Sequence, residues 1–172
     1  MSRRSYDQYC GLARALDVLG ERWTLLVVRD LWFYGPQKFD ELQAGLDVSS
    51  NTLTNRLGKL VEFGIVAKRT YQVNPERFEY CLTEEGMELV PALTVLAAWG
   101  NRHLPEEGGL PIVLRHREAK HQIRPTVVCG KCGEPVTLDD LHMEHGPGAP
   151  DDARPYAEPD RLAAGHRGDT RT

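Results

Sequence analysis

The chain has 172 residues, 41% of them hydrophobic and 27% charged, with a mean hydropathy of -0.44 and a net charge of -4. That length holds one ordinary core plus an appendage, not two large domains. No apolar run reaches the roughly 20 residues of a membrane span, and the N-terminal residues lack the apolar centre of a signal peptide, so a cytoplasmic protein without a membrane partner is expected.

From Tyr6 to Leu19, apolar residues recur at helical spacing (Leu12, Ala15, Leu16, Leu19) and Gly20 follows as a stop, which predicts a first helix. The run from Arg22 to Trp32 is apolar on nearly every side, as in the buried central helix of a small domain, and Gly35-Pro36 ends it. Lys38-Phe39-Asp40-Glu41-Leu42 opens a short helix that stops near Gly45, and Ser49-Ser50 offer N-caps for the next. That helix carries Leu53, Leu57, Leu60 and Val61 on one side and ends at Gly64. Ile65–Tyr71 and Phe78–Leu82 read as two strands joined by a turn over Gln72–Arg77, a β-hairpin. Thr83 caps a further helix with Glu84 and Glu85 in its first turn, and Pro91 starts another through Leu93, Leu96, Ala97 and Trp99.

The order is thus helix, helix, helix-turn-helix, hairpin, helix: a mainly α fold with a small β-hairpin wing (α+β), a winged helix-turn-helix. A helix-turn-helix binds duplex DNA by setting its second helix in the major groove, with hydrogen-bonding side chains turned toward base edges and phosphates. With Leu53, Leu57 and Leu60 inward, Asn51 and Asn55 turn outward, and Thr52, Arg56 and Lys59 flank them. Asn can pair with adenine and Arg with guanine, while Lys and Thr hold phosphates. Ser50 and Lys38 belong to the same expected DNA surface, and Asn74 and Arg77 stand at the tip of the wing. Read globally, the net acidity counts mildly against a nucleic-acid partner, but its distribution matters more: between Ser49 and Tyr71 the cations Arg56, Lys59, Lys68 and Arg69 face Glu62 alone, a local +3.

A series of motifs strengthens the reading. Cys10, Leu19-Gly20-Glu21-Arg22-Trp23-Thr24-Leu25-Leu26, Arg29-Asp30-Leu31, Lys38-Phe39-Asp40-Glu41-Leu42, Leu53-Thr54-Asn55-Arg56-Leu57 and Glu79-Tyr80-Cys81-Leu82-Thr83-Glu84-Glu85-Gly86 together resemble the HxlR-type family of winged-helix regulators, relatives of the MarR type, over about a hundred residues. The resemblance implies a homodimer on a palindromic or near-palindromic operator, joined through the first and last helices. Leu89, Leu93, Leu96 and Trp99 make more apolar stripe than a small core requires, and simple core packing is the competing reading of each. The family usually has Pro after its N-terminal Cys, where this chain has Gly11. In some relatives that Cys senses redox state, so Cys10 is a redox candidate set against the plainer reading of a buried, inert thiol.

After Leu104 the composition changes, and three segments are expected: 1–104 for DNA binding and dimerisation, 105–145 as a small appendage, and 146–172, rich in Gly, Pro, Ala and charge, as a disordered tail. No internal repeat of useful length is visible. Cys129-Gly130-Lys131-Cys132-Gly133 is a CxxC knuckle that looks like half a zinc ribbon. His116 and His121 are the preferred partners for one zinc per chain, His142 and His145 the alternative pair, and a metal-free hairpin the plain reading. No phosphate loop, nucleophile-base arrangement or carboxylate cluster speaks for an enzyme. The competing function is a metal- or redox-responsive module whose winged helix docks a protein. Retention of Asn51, Asn55, Arg56 and Lys59 on one helix favours DNA, and the sequence does not name a small-molecule or redox effector.

Overall fold

A computed structural model of the chain describes residues 5–105 and 107–156. The chain divides into two compact units at Leu114/Arg115. The first holds α1 (Gly11–Leu19), α2 (Thr24–Tyr34), β1 (Gln37–Lys38), α3 (Phe39–Leu46), α4 (Ser50–Glu62), β2 (Val66–Gln72), β3 (Arg77–Leu82), α5 (Glu84–Met87) and α6 (Val90–His103).

The core forms where α2, α3 and α4 turn their apolar sides together: Val27, Val28 and Leu31 meet Leu42, Leu46, Leu53, Leu57 and Leu60, with Val48 and Val66 closing the edge. Leu42, Leu53 and Leu60 are wholly buried, so truncating any of them to Ala would cost about 2–5 kcal/mol. Asp30 is also buried; the guanidinium of its neighbour Arg29 donates from Nε at 2.8 Å and completes an ion pair at 2.7 Å, which neutralises the charge locally.

Several boundaries differ from expectation for identifiable reasons. The first helix begins at Gly11, five residues after Tyr6, because residues 5–10 fold back onto it: the Ser5 hydroxyl and the Tyr6 amide both donate to the carboxylate of Asp17. Of its apolar stripe, Leu12 is 67% and Leu16 37% exposed, and Ala13 is the buried residue. Val61 likewise faces outward while Leu53, Leu57 and Leu60 are inward. The expected hairpin is two strands of a three-stranded antiparallel sheet in the order β1-β3-β2, since Gln37 and Lys38 pair with Tyr80 and Glu79. A two-residue strand carries no periodicity and so leaves no trace in a sequence.

Two glycines govern how α4 joins the sheet. At the end of α4, Gly64 takes φ 70°, Ile65 donates back to the Leu60 carbonyl and Gly64 to that of Val61, a closure that satisfies the last carbonyls of the helix. Thr83 then ties the end of β3 to the same place: its hydroxyl donates to the Gly64 carbonyl at 2.6 Å, and it accepts the Gly86 amide at 3.0 Å as the cap of α5. Gly86 lies so close that a Cβ there would stand 2.1 Å from the Ile65 carbonyl oxygen.

The second unit, from Arg115, is built of turns with two isolated antiparallel bridges and a 3-10 turn at Leu138–Asp140. The segment expected to be a disordered tail is described as far as Tyr156; it makes turns at Gly146–Ala149 and Pro150–Ala153, and the Tyr156 ring stacks on His145. Residues 157–172 of that expectation lie outside the described residues.

Candidate nucleic-acid interface

α3 and α4 meet through the turn Asp47-Val48-Ser49, in which Asp47 is left-handed at φ 49° and Val48 is buried as the hinge's anchor. Ser49 is the cap of α4: its hydroxyl accepts the Thr52 amide at 3.3 Å and lies 2.9 Å from the Thr52 hydroxyl. α3 is fixed at its own start, where the Glu41 carboxylate reaches back to accept the Lys38 amide at 2.8 Å. These locks hold the two helices as one rigid turn.

The solvent face of α4 consists of Asn51, Thr54, Asn55 and Gly58. Their i, i+3, i+4, i+7 spacing is one straight stripe opposite the buried leucines, and the amides of Asn51 and Asn55 have no side-chain partner among the described residues. Thr54 was missed from sequence although the spacing that selects Asn51 and Asn55 also selects it. Gly58 leaves the stripe without a side chain at its C-terminal end, with open space beyond. Ser50 sits at the start of the helix and accepts from Gln43 Nε2 at 3.0 Å, a direct link from α3.

Arg56 and Lys59 depart from the expected outward surface. Arg56 donates from Nε to the Arg22 carbonyl at 3.0 Å and pairs with Glu21 at 3.1 Å. Lys59 donates from Nζ to the Asp17 carbonyl. Both cations are therefore drawn behind the helix to the α1–α2 junction, whose carbonyls are left without helical partners as α1 ends. In that junction Trp23 holds φ 78°, a conformation disfavoured for a bulky residue, with the Arg22 guanidinium 5.3 Å from its ring centre. The motif Glu21-Arg22-Trp23 thus docks α4 against α1 and α2.

The wing carries the remaining cations. Asn74 and Arg77 are exposed at its tip beside Val73, and the Gln72 amide donates to the Asn74 carbonyl. Asn74-Pro75 is cis. Lower down, Arg69 pairs with its cross-strand neighbour Glu79 at 2.7 Å, a contact that raises the guanidinium's pKa further, and Lys68 lies over the Phe78 ring at 3.7 Å. Lys38 is half exposed, 5.1 Å from the Tyr71 ring centre and 3.8 Å from Glu41. It is placed between α3 and the wing.

The redox and metal candidates are placed less as expected. Cys10 is exposed at the N-cap of α1, not buried, and the amides of Ala13 and Leu12 there lower its thiol pKa, with Arg14 a smaller contributor. Cys81 is half-buried and donates to the Ala67 carbonyl. The four residues expected around one zinc, Cys129, Cys132, His116 and His121, are not gathered: among the described residues no three of His, Cys, Asp or Glu stand together as a metal site. His116 and His121 instead stack on each other at 5.6 Å, His116 Nδ1 accepts the Ala119 amide, and His121 Nδ1 lies 3.1 Å from the Gln122 carbonyl. As placed, these side chains do not form a four-ligand set. Of the apolar stripe assigned to dimerisation, Leu89 and Leu93 pack against the core of their own chain, while Leu96 is 54% and Trp99 49% exposed.

Residues 18–108 match the sequence profile of the HxlR-like helix-turn-helix family. An uncharacterized HTH-type transcriptional regulator of Mycobacterium tuberculosis is 42% identical over 137 residues, covering 80% of this chain and 86% of that protein. Among solved structures, the chain is similar to PA1607, a candidate transcription factor, with TM-score 0.71 and 30% identity over 81% of this chain and 97% of that one. It is also similar to PA1374 from Pseudomonas aeruginosa, another candidate transcription factor, with TM-score 0.56 and 34% identity over 83% and 96% of the two chains. The 137 matched residues exceed the 114 of the first unit, so the likeness runs into the second. No helix among the described residues is long and apolar enough to cross a membrane.

Proposed function

Because the chain belongs to the HxlR-like helix-turn-helix family, a family of transcriptional regulators with a winged DNA-binding fold, we propose that it acts in the cytoplasm as a homodimer on a palindromic or near-palindromic operator. The observation that carries this reading is the stripe Asn51, Thr54, Asn55 on the outer face of α4, polar groups able to pair with base edges and with no side-chain partner among the described residues. The docking of Arg56 and Lys59 behind that face supports a division of labour. Short polar side chains read bases, and the cations of the wing, Arg77 foremost, with Lys38 beside them, hold phosphates.

Two exposed apolar stretches support the dimer, Leu12 and Leu16 on α1 and Leu96 and Trp99 on α6. Such residues on the two terminal helices of the unit suit an isologous contact, in which each protomer offers the same patch. Selection of bound duplexes from a random pool tests the proposal. Enriched sequences should be inverted repeats with half-site centres about one helical turn, roughly 10 base pairs, or a multiple of it apart. Replacing both Leu96 and Trp99 by Glu should give a folded monomer in sedimentation that no longer distinguishes the repeat from a single half-site. Enrichment of unrelated or asymmetric sequences would overturn the symmetric reading.

A further inference from the structure

The second unit contains a repeat that its residue types conceal. Arg115 bridges Gln122 and Val128 bridges Pro135, the same span displaced by 13 residues. Inside the first bridge, the His116 amide donates to the His121 carbonyl at 2.9 Å and the Lys120 amide to the His116 carbonyl at 3.0 Å. Inside the second, Cys129 donates to Glu134 at 2.8 Å and Gly133 to Cys129 at 2.7 Å. The fifth residue of each turn is left-handed, Lys120 at φ 59° and Gly133 at φ 76°. In both, the side chain at the first position accepts the amide three residues on: His116 Nδ1 from Ala119 at 3.3 Å, and the Cys129 sulfur from Cys132. These are two copies of one knuckle.

A knuckle of this kind offers a metal the side chains of its first and fourth positions, and two knuckles together make the four ligands of a closed structural zinc site. The second copy carries Cys129 and Cys132 there, whereas the first carries His116 and Ala119. A methyl group cannot ligate. His121 does not replace it, because His121 occupies the position of Glu134, past the turn, with its ring stacked on His116. The first knuckle therefore offers one donor where the second offers two.

We propose that this unit is a ribbon whose first knuckle lacks its second ligand at Ala119, and that Cys129 and Cys132 are thereby left as a dithiol which closes to a disulfide by exchange with a low-molecular-weight disulfide. The two thiols stand at the first and fourth positions of a single turn closed by the bond from the Gly133 amide to the Cys129 carbonyl, and Cys132 is exposed to the reagent. In the exchange, one cysteine sulfur, its proton given up to solvent, attacks the small disulfide RS–SR; a mixed disulfide forms and RS⁻ leaves. The other cysteine, also deprotonated, attacks the protein sulfur of the mixed disulfide and expels the second RS⁻. Two protein thiols are oxidised to one disulfide, one small disulfide is reduced to two thiols, and the two protons end on the leaving thiolates.

The test uses the reduced full-length chain, incubated with zinc, desalted, and then exposed to oxidised glutathione, with metal content and the state of each cysteine read by elemental analysis and mass spectrometry. The wild type is expected to fail to hold stoichiometric zinc and to lose both thiols of the 129–132 segment as an intramolecular disulfide without a retained glutathione. Ala119→Cys, which restores the missing ligand, is expected to hold one zinc per chain and to resist the exchange. Cys132→Ser should stop at a glutathione adduct on Cys129. A wild type that keeps one zinc per chain and resists glutathione overturns the proposal, as does a Cys132→Ser chain that forms no adduct while the wild type forms no disulfide.

Discussion

Arg56 separates two accounts of α4, and its replacement by Ala yields a number. The mutation removes a charged hydrogen bond to the Arg22 carbonyl at 3.0 Å and an ion pair with Glu21 at 3.1 Å. The pair is worth little, because the Glu21 side chain is 48% exposed and water screens it, leaving about 0.5 kcal/mol. The bond to the carbonyl comes from a side chain only 20% exposed and contributes about 1.5 kcal/mol. Arg56→Ala should therefore lower the unfolding free energy by about 2 kcal/mol in urea titrations, and Glu21→Gln by about 0.5 kcal/mol. Arg56→Ala that unfolds at the wild-type urea concentration yet loses operator binding would refute the reasoning. It would mean that the guanidinium swings forward to the DNA and that its contacts with the α1–α2 junction hold nothing.

The glycines at the α4–sheet junction give a graded pair. Gly64→Ala should cost about 1 kcal/mol, from the φ of 70° alone since the space around it is open, whereas Gly86→Ala should cost more, about 2–3 kcal/mol or a local rearrangement, because its Cβ would meet the Ile65 carbonyl oxygen; comparing their thermal midpoints checks the order. Cys10 should alkylate with iodoacetamide at a lower pH in the folded chain than in the urea-unfolded chain, since the amides at the start of α1 stabilise its thiolate and it is exposed; equal pH profiles would contradict the cap geometry.

The first unit was largely legible because its helices are long enough to display a 3.6-residue period and its breaks fall on Gly, Pro and Ser. Leu53, Leu57 and Leu60 fixed the inward side of α4 and so the outward position of Asn51 and Asn55. What the period cannot carry is the reach of a long side chain. Arg56 and Lys59 lie on the flank of the helix, and whether such a cation turns to solvent or to a neighbouring carbonyl depends on where α1 ends in space, which only the tertiary fold decides. The same limit hid the split of the α6 stripe into Leu89 and Leu93, spent on the core, and Leu96 and Trp99, left outside. In the second unit, the CxxC signature was visible, but the matching knuckle at 116–120 was not. Its backbone repeats the turn while its residues, His, Ala and Lys in place of Cys, Cys and Gly, erase the signature.

The central claim is that the outer face of α4 reads base sequence, and the most direct measurement is the affinity of wild type, Asn51→Ala and Asn55→Ala for a selected operator and for a scrambled duplex of equal length at one stated salt concentration. Each Asn that reads a base should cost about 1–3 kcal/mol on the operator when replaced, with scrambled binding and the salt dependence of both unchanged, because no phosphate contact is lost. Wild type that binds operator and scrambled duplex alike, or variants that bind the operator as tightly as wild type, would contradict it.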